Sequence, residues 1–232
     1  MITKIEAKDR YRAEHDWLTS YHLFSFAEYY DPENMNFGVL RVFNDDTIDA
    51  HNGFGKHGHR DMEIVTIVLS GELTHEDTLG NKRAIKEGEV QYMSAGMGVM
   101  HSEVNRTQRP VHLYQIWLTP VATGLVPRYD QKDFSAKEKN KLVPVASGIE
   151  REGVLHIRAR TTVSLCTLED AKIISFPLPE AWGMFVYISK GNLSINGVLF
   201  ESGDQARIIG ETRLTFIAQG DTEFVLIGMD KV

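Results

Sequence analysis

Apolar and polar positions alternate with a period of two through most of this chain, the spacing of half-buried strands. Segments rich in Val, Ile, Thr, Tyr and Phe, namely "FGVLRVF", "EIVTIVLSGEL", "EVQYMSA", "VHLYQIWL", "VLHIRAR", "MFVYISKGNLSI" and "FVLIGM", are separated by glycine, asparagine and aspartate turns such as "LGN", "EGE" and "ING". Many short strands at this spacing predict an all-β sandwich or barrel. One piece differs. In "DQKDFSAKEKNKLVPVASG", Asp130 to Gly148, charge is dense and alternation is lost, so a short helix is expected over 134–139 ahead of Pro144. That stretch reads as a connector, dividing the chain into an N-terminal unit at 1–130, a connector at 131–148 and a C-terminal unit at 149–232.

The two halves resemble each other. "IVLSGEL" at Ile67–Leu73 has a counterpart in "YISKGNL" at Tyr187–Leu193, and each is followed by a glycine and an acidic residue, in "KEGEV" from Lys86 and "ESGDQ" from Glu201. A duplicated β unit accounts for this.

Composition narrows the class of partner. With 232 residues, 42% of them hydrophobic, the chain can bury one large core or two modest ones. A net charge of −7, from 25 basic against 32 acidic residues and no long basic block, provides no phosphate-neutralising surface. Nucleic acid and anionic membrane are therefore not expected partners. The segment "MITKIEAKDRYRAEHDWLTS" is charged throughout, unlike a secretory signal, and the longest apolar runs fall far short of the ~20 residues that span a bilayer. A cytoplasmic protein is expected, with a monomer the favoured state. Cys166 is the only cysteine, so neither an intrachain disulfide nor a thiolate cluster can form. Any metal must be held by nitrogen and oxygen.

The candidate chemistry lies in two short stretches. "HGH" sends His57 and His59 to one face of a strand, about 7 Å apart along the backbone. Parity continues through Asp61 to Glu63, so a carboxylate is a candidate for the same face. About forty residues on, "MGVMHSEVN" repeats the spacing with His101 and Glu103. Antiparallel pairing readily sets two such segments opposite one another. Phe54, Met62, Met93, Met97 and Met100 lie beside them and read either as cavity wall or as ordinary core, as do Tyr114 and Trp117. The remaining histidines, His15, His22, His51, His75, His112 and His156, lack a paired pattern and read as structural or exposed, although His75 and His112 could approach the site.

The stretch from Phe54 to Asn105, with "SFAEYYDPENMNFGVLRVFNDD" and "LYQIWLTP", resembles the metal-binding cupin of the pirin family, in particular its bacterial members assigned quercetin 2,3-dioxygenase activity. The resemblance is dense in the first half and loose in the second. It implies a bicupin: two cupin (jelly-roll, or double-stranded β-helix) barrels, the first holding one divalent ion. Fe(II) comes first, with Mn, Co, Ni, Cu or Zn accepted. The family's ligands map onto His57, His59, His101 and Glu103. In the general cupin pattern, by contrast, the first-motif glutamate, here Glu63, is the ligand. The second motif also has Ser94 where a general cupin has proline. Parity alone admits Glu63 or Glu103 as fourth ligand; the resemblance selects Glu103. In the second half an offset of 120 puts Pro177, Pro179 and Gly183 where His57, His59 and Glu63 stand, so the C-terminal cupin is expected to hold no metal.

Three neutral imidazoles and one carboxylate would leave a divalent ion with positions open to substrate and dioxygen. The resemblance implies cleavage of a flavonol such as quercetin by dioxygen with loss of carbon monoxide. Glu103 or Glu63 would act as the base. The other function class is a non-enzymatic pirin-type regulator whose metal redox state alters a surface offered to a protein partner. Metal affinity is expected to fall steeply below about pH 6.5, where imidazoles protonate.

Overall fold

A computed structural model describes residues 1–179 and 181–230, and almost all of its regular structure is strand. The one helical turn among the described residues is a 3-10 turn at Ala7–Asp9. The short helix expected over 134–139 does not form. After the strand Arg128–Asp133, the Asp133 carboxylate accepts the Ser135 N–H (2.7 Å) and the Phe134 N–H donates to the Gly88 carbonyl (2.9 Å), which turns the chain. "SAKEKNK" has no apolar stripe to bury as a helix, and the aspartate offers its backbone a competing partner. "VLHIRAR" shortens to a two-residue strand, Leu155–His156, while "TTVSLCTL" forms the eight-residue strand Thr161–Leu168. Its interleaved Thr and Ser dilute the apolar signal without weakening β-branched strand preference.

The chain forms two units. The first comprises Tyr11–Ala136 with Gly148–Ala159. Its larger sheet has seven antiparallel strands in the order Arg128–Asp133, Glu89–Ser94, Glu63–Ser70, Val111–Leu118, Leu40–Ile48, Leu18–His22 and Tyr11–His15. Its smaller sheet has four, in the order Gly53–His59, Val99–Val104, Glu72–Asp77 and Lys82–Lys86. Leu18, Ile48, Val68 and Leu113 from the first sheet pack with Leu73 and Ile85 from the second, which gives a sandwiched core.

The second unit comprises Met1–Arg10, Lys137–Ser147 and the chain from Arg160 onward. Its long strands Trp182–Ile195 and Arg213–Asp230 bury Met184, Val186, Ile188, Leu193, Phe216 and Leu226 in one core. The amino-terminal strand Ile2–Ile5 pairs with Gln205–Ile209, and Lys4 Nζ lies 2.8 Å from the Asp204 carboxylate. The units are thus not contiguous in sequence, in contrast to a linear division at 130 and 149. Ile2 finds its apolar surroundings on the second core, so pairing there decides where the first ten residues belong.

The internal resemblance is carried by backbone. Gly71 (φ +81°) and Gly191 (φ +76°) each lie where a Cβ would meet a carbonyl oxygen, 2.7 Å from Pro110 and 2.5 Å from Asp221. The Gly88 N–H donates to Val68 O (2.9 Å) and the Gly203 N–H donates to Ile188 O (2.7 Å), so both halves make the same closure. Only glycine tolerates such turns at so close an approach. The architecture is that of a bicupin. No helix among the described residues is long and apolar enough to cross a membrane.

Candidate metal centre

The strands Gly53–His59 and Val99–Val104 pair antiparallel, with His57 opposite His101 and His59 opposite Val99. The register shifts between His101 and Glu103, so Glu103 faces Phe54. The close approach is possible because residue 53 is glycine: a Cβ there would lie 2.3 Å from the Glu103 carbonyl oxygen. On its other edge Val99–Val104 pairs with Glu72–Asp77, setting His101 opposite Asp77 and Glu103 opposite His75. Alternation turns His101 and Glu103 inward, both buried, and Met100 outward.

Three imidazoles converge. His101 Nε2 lies 3.0 Å from His57 Nε2, and the His59 ring centroid is 4.8 Å from each of theirs. His57 Nδ1 sits 2.8 Å from the Gly55 carbonyl, which assigns its proton to Nδ1 and leaves Nε2 with a lone pair. Facing lone pairs repel unless a cation lies between them. Two donors held at right angles about 2.1 Å from one ion stand about 3.0 Å apart, and the His57–His101 separation matches that. Burial, then the neighbouring His57, pushes the His59 pKa down to about 4. Burial, then His57, His59 and His75, pushes that of His101 down to about 2. Both rings are therefore neutral and ready to donate across ordinary pH.

Glu103 lies beside this cluster, in a second group of close donors with His75 and His101. Its Oε2 accepts the Gln115 amide at 2.9 Å, while Oε1, fully buried, has no partner. Burial and then the nearby Asp46 raise its pKa to about 7, against the Gln115 hydrogen bond. A buried carboxylate oxygen without a donor is costly unless a cation meets it. The nitrogen and oxygen donors thus suit a borderline divalent first-row ion. Protons therefore compete at Glu103 near 7 and at His59 near 4.

Glu63 is not brought to this cluster. Asp61 (φ +48°) turns the chain after His59, so parity does not carry through, and Glu63 opens a strand of the larger sheet. Its carboxylate accepts the Tyr92 hydroxyl, the Ser94 hydroxyl (2.6 Å) and the Arg158 N–H (3.0 Å), and Ile64 faces the cavity instead. Ser94, the position at which this sequence departs from the general cupin, is thus one of three groups that occupy Glu63.

His75 was not marked as functional by any spacing, yet it is fully buried against the centre. Its Nε2 is 3.0 Å from Asp77 Oδ2 and its Nδ1 is 3.4 Å from His101 Nδ1. Although burial opposes it, hydrogen bonds from His75, Asn81 and the Leu79 N–H hold the Asp77 carboxyl below the usual range. An ionised Asp77 is an acceptor only, so His75 carries its proton on Nε2 and accepts from His101 Nδ1–H. That leaves His101 Nε2 free for an ion. The readable signal was "THED", where His75 and Asp77 share a face.

The donors open onto a cavity of about 160 Å³, walled by Phe26, Phe54, Ile64 and Trp117, with Asn44, Asp46 and Gln115 as polar lining. Of the expected wall residues, Phe54 and Trp117 line it. Met93 is core with Met62 packed on it, Tyr114 is buried against Phe43, and Met97 and Met100 are exposed. Asn44 and Asp46, missed from sequence, were legible as polar residues at alternate positions of "LRVFNDDTI", on the face that also carries Val42 and Ile48. His112 pairs with Asp45 at 2.6 Å, away from the cluster.

In the second unit Pro177 ends the strand Ile173–Pro177, and proline offers no side-chain donor. Among the described residues, both groups of three close donors, His57–His59–His101 and His75–His101–Glu103, lie in the first unit.

The family model for pirin matches residues 5–118, and that for the quercetinase C-terminal cupin domain matches residues 144–229. Quercetin 2,3-dioxygenase of Escherichia coli K12 is 41% identical over 234 residues, covering 100% of both chains. The crystal structure of the bacterial pirin YhhW from Escherichia coli in complex with nickel(II) superposes with a TM-score of 0.95 at 39% identity, again covering 100% of both chains.

Proposed function

This chain belongs to the pirin family, and on that premise we propose that it is a metal-dependent dioxygenase that opens flavonols such as quercetin. In the overall reaction both atoms of dioxygen enter the products: the central ring opens to an ester and one carbon leaves as carbon monoxide. The observation that carries this reading is the presence of three converging imidazoles and the unpartnered Glu103 Oε1 on one aromatic-walled cavity.

His57, His59, His101 and Glu103 would hold the ion, with His75 and Asp77 fixing the orientation of His101. A divalent ion there supplies Lewis acidity, lowering the pKa of a substrate hydroxyl brought to it. Glu103 is the group that receives the proton of the flavonol 3-hydroxyl: Gln115 holds Oε2, and Oε1, the oxygen without a protein partner, would exchange its place on the ion for that proton. Gln115 keeps the other oxygen in place throughout. Phe26, Phe54 and Trp117 hold a flat ring and exclude water. Glu63, occupied by three donors, takes no part in the proton transfer.

The test is aerobic incubation of the metal-loaded protein with quercetin, following dioxygen uptake and carbon monoxide release. Nickel, present in the relative's complex, and iron(II) are the first ions to load. Equimolar uptake and release supports the reading. Tight quercetin binding without either gas exchange, across the first-row metals, refutes it.

A further inference from the structure

A second chamber, of about 280 Å³, adjoins the metal cavity and shares Phe26, Asn44, Asp46 and Phe54 with it. An apolar cavity of about 150 Å³ already accepts benzene, so each chamber has room for an aromatic ring. The second chamber belongs to the first unit and is built on two paired strands, with Ser20 opposite Asp46 and His22 opposite Asn44.

His22 and Asn44 end a polar row that crosses the barrel. His22 pairs with Asn44, Asn44 with Gln115, Gln115 with Thr66, and Thr66 with Gln91. Five polar residues at one level of a buried sheet are costly unless each finds a partner. Part of the row is satisfied internally. Gln115 is committed at both ends, accepting the Thr66 hydroxyl (3.0 Å) and donating to Glu103 (2.9 Å), and Asp46 accepts the Ser20 hydroxyl. Neither of these Gln115 bonds goes to Asn44. Asn44 Oδ1 and His22 Nδ1 are both buried without a partner, in residues only 3% and 4% exposed. Asn44 Oδ1 is an acceptor. His22 Nδ1 accepts or donates according to tautomer, and a hydroxyl group satisfies it either way. Aromatic faces flank both: Phe26 stands edge-on to His22 (5.1 Å), and Trp17 edge-on to Phe54 (5.2 Å).

We infer that this chamber is a recognition subsite for a hydroxylated aromatic ring of the substrate, the ring remote from the metal, with Asn44 and His22 binding its phenolic hydroxyls. The inference rests on the flavonol reading above and specifies which flavonols the site prefers. Orphaned polar atoms are retained in a core at the expense of stability, and that expense is recovered when a ligand hydroxyl meets them.

The experiment compares two ligands on nickel-loaded protein by calorimetry without dioxygen, so that no turnover intervenes. One is quercetin, whose pendant ring carries adjacent hydroxyls; the other is galangin, with the same fused rings and a plain pendant phenyl. The wild type is expected to bind quercetin about tenfold more tightly, as for one or two well-made hydrogen bonds. In Asn44→Leu that ratio should fall close to one, while Tm stays level or rises because an unpartnered polar atom has gone. His22→Phe, which keeps a ring against Tyr11 and Phe26, repeats the comparison should Asn44→Leu fold poorly. Equal binding of both ligands by the wild type, or an unchanged ratio in both variants, overturns the subsite and leaves the flavonol reading standing. If the wild type binds neither ligand, the flavonol reading falls and the subsite with it.

Discussion

Replacing Glu103 by glutamine should make the metal-free protein more stable while depriving it of metal. Glu103 is 97% buried with one oxygen unpartnered, and its pKa stands at about 7 against an ordinary 4.5. Ionising it in the folded, metal-free protein therefore costs about 3 kcal/mol more than in the unfolded chain. Because the folded pKa is raised, the wild type keeps its full stability below 4.5, loses it as pH climbs to 7, and levels off above. Glutamine cannot ionise, and its carbonyl still accepts the Gln115 amide. Relative to wild type, the metal-free variant should thus show little difference near pH 4.5 and a Tm higher by about 6–12 °C at alkaline pH, at about 2–4 °C per kcal/mol for a chain of this size. With metal present the order reverses, since a carboxylate ligand has been lost. The assay is thermal denaturation of both proteins across pH, with and without a chelator, alongside metal content by elemental analysis. A Tm difference that does not change with pH, or a Gln variant that retains stoichiometric metal, would refute the reasoning.

Three further outcomes follow from the same site. Apparent metal affinity should already fall below about pH 7 as Glu103 takes up its proton, and fall more steeply near 4, where His59 protonates; chelator competition at several pH values measures the slope, and an affinity that stays flat between pH 7 and 5 counts against Glu103 as a ligand. Asp77→Asn frees His75 from its fixed tautomer and should weaken metal binding by about 10–100-fold without emptying the site at saturating metal, whereas His57→Ala should abolish binding. Glu63→Gln should leave metal content intact and lower stability by about 1.5–3 kcal/mol, the worth of charge-assisted hydrogen bonds, as read from denaturant midpoints; loss of metal in this variant would restore Glu63 as a ligand.

Period-two spacing made much of this molecule readable in advance. "HGH" and "HSE" each commit a pair of side chains to one face of a strand wherever that strand goes, because alternation is a property of the extended backbone itself. The glycine turns at Gly71 and Gly191 were readable for a similar reason: a positive φ with no room for a Cβ is a local requirement that leaves a glycine in the sequence. An all-β chain with two related halves follows from these local rules.

Which strands become neighbours is not written at that range. Parity pointed on from His59 to Glu63, but the left-handed Asp61 ended the strand, and Tyr92, Ser94 and Arg158, all distant from Glu63 in sequence, closed around it. His75 seemed unremarkable until pairing put its strand beside Val99–Val104 and its ring against His101. Asn44 and His22 became a candidate subsite only because two strands aligned them and left Asn44 Oδ1 and His22 Nδ1 buried without a partner. Local periodicity determines the face a side chain takes; long-range pairing and desolvation determine what it meets there, and so which donors stay neutral, which carboxylate lacks a partner and where chemistry can occur.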